Sequence, residues 1–153
     1  MPKNILEEII KKKIEKIDIL KNSTSLNSLT DIIDKNNSFI NFKEKIQSNL
    51  HNNKISIIAE IKKASPSAGI IIQNYNPLEI DNLYNINNVT CLSVLTEEDY
   101  FLGSIKYLKD VKAISNLPIL RKDFVIDEYQ IYESKLIGAD CILSVSYTHL
   151  RAH

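Results

Sequence analysis

The 153-residue sequence predicts an α/β chain built on a parallel sheet, and three observations carry that prediction. Short apolar runs rich in β-branched residues begin near residues 55, 90, 118 and 140, a spacing suited to right-handed βαβ crossovers. The segments between them have helical periodicity and begin with capping residues. The runs themselves are apolar nearly throughout rather than alternating, as strands covered on both faces must be. Such a sheet is either doubly wound or part of a (β/α)8 barrel. No G-x-G-x-x-G follows the first strand, so the dinucleotide-binding fingerprint is absent.

Two helical patterns precede the first strand. Ile5, Leu6, Ile9, Ile10, Ile14, Ile17 and Leu20 recur at three- and four-residue steps, with lysines and glutamates opposite, which predicts an amphipathic helix over residues 3–20. "KNSTSLNSLT" reads as a polar connector. A weaker helix, carrying Phe39, Phe42, Ile46 and Leu50, is expected from about Ser38 to Leu50.

"KISIIAEI" then reads as the first strand and "KKASPSAGIIIQNYN" as a loop, the "SPSAG" within it as a plain turn or a close-approach loop offering hydroxyls. Asn76, Pro77 and Glu79 open the next helix as cap, first-turn proline and capping-box acid. "VTCLSVL" is the second strand. Ser104 caps a helix whose Ile105, Leu108, Val111 and Ile114 share a face. "LPILRK" is the third strand. Asp127 caps the helix after it, Gly138 closes that helix, and "ADCILSV" begins a fourth strand.

Composition narrows the function classes. Nineteen basic residues balance nineteen acidic ones, which speaks against a nucleic-acid surface. No apolar run approaches the ~18 residues of a membrane span, and the N-terminus lacks the features of a signal or transit peptide, so a cytoplasmic protein is expected. Cys91 and Cys141 fall inside apolar runs and read as reduced, buried thiols. His51, His149 and His153 share no ligand spacing, so no metal is expected.

The chemistry is concentrated where strands end. Glu60, Lys62 and Lys63 follow the apolar Ile57–Ala59, and Arg121, Lys122 and Asp123 follow Leu117–Leu120. Charges at the tips of buried strands cost several kcal/mol each, on the order of what pairing or a ligand must offset. In a parallel sheet these ends lie side by side, where barrel enzymes carry their catalytic side chains. Glu60, Lys62 and Lys122 are therefore expected to converge on one polar pocket. Glu60 and Lys62, two residues apart, project to the same side of a strand, and Lys63 to the other. A lysine beside another cation becomes a usable acid near neutral pH, and it also clamps phosphate or carboxylate. Phe101 and Phe124, in the loops after strands two and three, are either local core plugs or a pair that sandwiches an aromatic ring.

"IIAEIKKASPSAGII", "LSVLTEEDYFLGSIKYLKDV" and "LPILRKDFVIDEYQIYESKLIGADCIL" together closely resemble indole-3-glycerol phosphate synthases, in order, from about residue 4 to residue 143. The resemblance implies about the first four strands of a (β/α)8 barrel, with an N-terminal helical extension lying over the active face. It implies closure and decarboxylation of a phosphorylated substrate, 1-(2-carboxyphenylamino)-1-deoxyribulose 5-phosphate, with neither metal nor organic cofactor. By motif, Lys122 looks like the general acid, Lys62 like the lysine that holds anionic groups, and Glu60 like the glutamate beside them. Ser65 matches the S-P-S serine, and Phe101 and Phe124 match the aromatics of the ring pocket. On the residues alone, two rivals stay open: a phosphosugar isomerase or Schiff-base aldolase on a related barrel, and a non-catalytic half-barrel that binds a phosphorylated ligand.

The expected organisation is an extension over 1–52, half a barrel over 53–143, and a tail over 144–153. The family's remaining catalytic and phosphate-binding residues belong to later strands, and none is present here. "SVSYTHLRAH" holds two of the three histidines and breaks with the Lys/Ile/Asn-rich body, so it reads as non-native adaptor read-through. The absence of those later-strand residues predicts inactivity of the piece alone, and the two strand edges that a half-barrel leaves unpaired predict poor solubility or self-association through those edges.

Overall fold

The computed structural model describes residues 3–33 and 39–143; residues 144–153, expected to be a non-native tail, and Ser38 lie outside them. Four strands, β1 (Ile58–Ile61), β4 (Cys91–Leu95), β5 (Ile119–Lys122) and β6 (Cys141–Ile142), form an all-parallel sheet in that order. A small antiparallel hairpin of β2 (Ala64–Ser65) and β3 (Gly69–Ile70) stands apart, immediately after β1. Helices α4 (Pro77–Ile86), α5 (Ile105–Ile114) and α6 (Glu128–Leu136) make the crossovers.

The helices start where their caps dictate. The side chains of Asn76, Ser104 and Asp127 accept the N–H groups of Leu78, Lys106 and Tyr129. Gln130 completes a capping box with Asp127. Gly138, at φ +92°, ends α6 in a conformation costly for other residues. A methyl group there would also stand 2.8 Å from the Lys112 Cγ.

The core lies between sheet and helices. Ala59, Leu92 and Ile119 are in register across three strands and pack with Leu108 and Val111 of α5. Ile61, Val94 and Arg121 form the next row on that same face.

The N-terminal part holds one more helix than the sequence suggests: α1 (Lys3–Ser23), α2 (Leu26–Ile33) and α3 (Phe42–His51). The supposed connector is taken up by the end of α1 and the beginning of α2, which is capped by Ser25, whose Oγ accepts the Ser28 N–H. Its apolar stripe of Leu26, Leu29 and Ile33 is short enough to be hidden by the polar residues around it. Leu29 is buried with Ile17 of α1 and Tyr129 of α6. α3 starts at Phe42, behind the Asn41 cap, rather than near Ser38, and none of its residues is fully buried.

These helices do more than lie over the strand ends. α1 rests on the loops that follow β4 and β5, and α2 packs along α6. Beyond them, the Ile40 N–H is accepted by Asp140 at the start of β6, and Asn49 of α3 donates to Thr90 at the start of β4. The extension thus straps the sheet from its C-terminal rim to its N-terminal rim. Asp140 is the lower anchor, its buried carboxylate taking Ile40 N–H, Ile119 N–H and the Lys112 ammonium.

At the upper rim, α1 is held by charge rather than by its apolar stripe alone. Ile9 and Ile17 are buried, but Ile14 is 47% exposed. Between the two buried isoleucines stands Lys13, whose ammonium meets Asp123 at 2.7 Å with both side chains nearly shut off from solvent. Lys16 reaches Glu98 and Asp99, and Lys21 reaches Asp127. Part of the charged face assigned to solvent by periodicity is therefore an interface.

Burial acts to raise the Asp123 carboxyl, but Lys13 and Arg121, with hydrogen bonds from Lys13 and Thr96, outweigh it and hold the group below its ordinary value. The stabilisation it supplies is thus complete above about pH 4, the unfolded carboxyl value, and is lost as pH falls through the folded one. Replacing Asp123 with Ala leaves Lys13 and Arg121 without their shared counter-ion. It is expected to cost about 3 kcal/mol or more in urea unfolding at pH 7, and clearly less at pH 3.

Candidate active site

The two faces of the sheet carry different chemistry. Opposite the helices, Glu60 is in register with Ser93 and Leu120, and Leu95 with Lys122. Continuing the β1 register past Ile61 and Val94 sets Lys62 beside Leu95 on its other flank. Lys62 and Lys122 thus bracket Leu95 on one face, about 10 Å apart at the backbone, or two strand spacings. Glu60 and Lys62 form an ion pair, each about one-third exposed. Lys122 is half-buried. Of the three residues expected to converge, Glu60 and Lys62 thus meet directly, and Lys122 lies on the same face two strands away.

Arg121 and Asp123, on either side of Lys122, alternate to the other face. The Arg121 guanidinium is 2% exposed and donates to Thr96, Ser134, Glu133 and Asp123. Thr96 donates to Asp123 at 2.7 Å. Asp123 also accepts the Phe124 N–H at 2.8 Å. The charged cluster at the end of the third predicted strand therefore divides in two, with one lysine turned to the helix-free face and an ion-pair network turned to the helices.

A cleft of about 350 Å³ opens on that second side, lined by Lys13, Lys16, Ile17, Arg121 and Glu133 among others. Its cations are already matched by Asp123, Glu98, Asp99 and Glu133. It lies across the sheet from Lys62 and Lys122, so we assign it no part in the site.

Phe101 and Phe124 come together, with ring centroids 6.3 Å apart and planes tilted by 46°. A ring held between two others needs about 7 Å between parallel faces, so the two do not form a sandwich. They make one continuous aromatic wall. Ser65 lies in the hairpin, where its Oγ accepts the Ala68 N–H and pairs with the Ser67 hydroxyl. "SPSAG" is thus the tip of a β-hairpin rather than a plain turn. Gly69, at φ +65° immediately after the connecting residues 66–68, supplies the left-handed residue that returns the chain into β3.

A family model described as indole-3-glycerol phosphate synthase matches residues 6–149. The chain is 47% identical over 142 residues to the indole-3-glycerol phosphate synthase of Clostridium acetobutylicum, a match covering 93% of this chain and 53% of that protein. For the protein of the same name from Prochlorococcus marinus the identity is 46% over 145 residues, covering 94% of this chain and 48% of the relative. The chain belongs to the indole-3-glycerol phosphate synthase family. It spans about half the length of the curated relatives it matches, and its four-stranded parallel sheet is about half of the barrel.

Within this member of the indole-3-glycerol phosphate synthase family, the strings that carry the resemblance are as much scaffold as site. In "LTEEDYFLGS", Thr96 joins the Arg121–Asp123 network. Glu97, 1% exposed, accepts the N–H groups of Asp99, Tyr100 and Phe101. In the sequence Glu97 and Thr96 carry no assigned role, and Arg121 and Asp123 stand only as strand-end charges whose partners are not evident. Strand alternation alone could have turned Arg121 and Asp123 away from Lys122, but Lys13, the partner of Asp123, lies 110 residues away, beyond any local pattern.

Gly103 completes the turn, its N–H donating to the Glu97 carbonyl at 2.7 Å. A Cβ there would sit 2.6 Å from the Leu95 carbonyl oxygen and 2.8 Å from that of Glu97. Both are backbone atoms that cannot step aside. Gly103→Ala is expected to lower stability by about 2 kcal/mol, and thermal melting compared with wild type measures it.

Proposed function

We propose that this chain supplies the first half of an indole-3-glycerol phosphate synthase active site, with residues 1–52 as extension and 53–143 as the first four βα units. The reaction is closure of 1-(2-carboxyphenylamino)-1-deoxyribulose 5-phosphate, a phosphorylated small molecule, to indole-3-glycerol phosphate with loss of carbon dioxide and water. It belongs to tryptophan biosynthesis, a carboxy-lyase step we assign to the cytoplasm. The observation that carries the proposal is the bracketing of Leu95 by Lys62 and Lys122 on the sheet face that carries no helices. Family membership gives that bracket its chemistry.

Ring closure joins an aromatic carbon to a ketone carbon, so the ketone oxygen must acquire a proton as the bond forms. Lys122 is the acid in this reading, pointing from a strand end whose other charges are all engaged elsewhere. Lys62 holds the substrate's anionic groups, and Glu60 orients Lys62 through their ion pair. Ser65 presents its hydroxyl from the hairpin beside them. The Phe101–Phe124 wall receives the flat face of the aminobenzoate ring. The base needed for the final dehydration is not assigned to any residue of this chain.

In the gene product at its full length, Lys122→Ala is expected to lower kcat by about 10²–10⁴-fold. Lys62→Ala is expected to raise KM more than it lowers kcat. Indole fluorescence follows both, and retention of wild-type turnover by Lys122→Ala sinks the assignment. Residues 1–153 alone are expected to show no turnover and to self-associate through the β1 and β6 edges, where Ile57 and Ile58 are about half exposed. A clean monomer with a cooperative melt in sedimentation and calorimetry counts against the second part.

A further inference from the structure

The β4–α5 loop is organised around a carboxylate that the proposed reaction does not use. Glu97 is almost wholly buried, and among the described residues no cation lies within ion-pair distance of it. Its two oxygens instead take three consecutive backbone N–H groups, those of Asp99 at 3.1 Å, Tyr100 at 2.7 Å and Phe101 at 3.0 Å. A buried charge is tolerable only when such donors replace water, and three aligned amides do so. The backbone of the same residue closes the loop from the other side, its carbonyl accepting the Gly103 N–H. Glu97 therefore determines where the main chain of Phe101 sits.

Phe101 has little else to fix it. Its ring meets Phe124, and the next residue, Leu102, is held at φ +51°, a conformation unfavourable for a side chain of that kind. Released from Glu97, the loop has reason to relax at Leu102, which would swing the ring off its partner. Glu98 and Asp99 hold the outer side of the loop to Lys16 of α1, but those pairs are exposed and worth little. The inner clasp dominates.

We propose that Glu97 is a positioning residue for substrate: its side chain sets the Phe101 half of the aromatic wall and so governs how tightly the substrate ring is held. This rests on the proposed synthase reaction, with Phe101 in the ring pocket. Glu97→Gln keeps the shape but turns an amide N–H₂ toward backbone donors, so at most one oxygen remains to accept.

The test uses the gene product at its full length. In Glu97→Gln, hydrogen exchange at the amides of residues 99–101 is expected to quicken by about tenfold or more, while the β4 and β5 amides keep their rates. KM for 1-(2-carboxyphenylamino)-1-deoxyribulose 5-phosphate is expected to rise about tenfold with kcat within about twofold. In a Phe101→Ala background the same substitution is expected to change KM no further, because the wall it positions is already gone. An equal rise in KM in that background, or faster exchange with KM unmoved, overturns the positioning role; unchanged exchange overturns the clasp itself. If wild type does not turn over this substrate, the synthase proposal falls, and exchange at 99–101 alone decides the clasp. Should Glu97→Gln not fold, Glu97→Asp, which keeps the charge but falls one methylene short, provides the same comparison.

Discussion

The structure depends on one buried meeting of charges, where Asp123 at the end of β5 receives Lys13 from α1, Arg121 from its own strand and Thr96 from the end of β4. Each ion alone would be too costly to bury, since desolvation takes several kcal/mol apiece on the order of what pairing returns. Together they satisfy one another, and no buried side-chain polar atom among the described residues lacks a partner. The cluster does three jobs at one point. It docks the first helix, joins neighbouring strand ends, and takes the N–H of Phe124. Hydrophobic packing supplies most of the stability of the sheet, but it has no means of specifying the rim this sharply.

A second anchor works at the opposite end. Asp140 gathers the chain before α3, the start of β5 and the end of α5 through Lys112. The two carboxylates sit at opposite rims of the sheet, one binding the ends of β4 and β5 and the other the starts of β5 and β6, and the extension runs between them alongside α6. Preorganisation of the lysine-bearing rim therefore starts far from it, in the way the N-terminal helices are tied down at both ends. Ground already held rigid need not be ordered again when a ligand arrives.

Much of this was legible in the sequence, for identifiable reasons. The four strands announced themselves as β-branched runs, and Asn76, Ser104 and Asp127 marked helix starts because capping is a local event, complete within three residues. The shared rim of Glu60, Lys62 and Lys122 followed from parallel pairing alone. What escaped was α2, whose three apolar residues are diluted by serine and asparagine, and the hairpin at "SPSAG", which is stabilised by one serine hydroxyl and one left-handed glycine. The partners of Lys13 also escaped, because helix periodicity assigns a lysine to water unless an acid from elsewhere in the chain claims it. The closeness of the Phe101 and Phe124 rings was not legible either, since ring separation is a tertiary quantity.

The alternation along Arg121, Lys122 and Asp123 has one more implication. If β5 were to pair with its neighbours one residue out of step, the arginine and aspartate would turn to the side without helices, and the lysine would be driven into the layer of α6, where Glu133 alone would face both it and a Lys13 bereft of Asp123. Every such slip strands at least one full charge in hydrocarbon, so mispaired forms of this strand are heavily disfavoured during folding. The three polar letters that look like a pure reactivity motif thus also act as a proofreading device for assembly of the sheet.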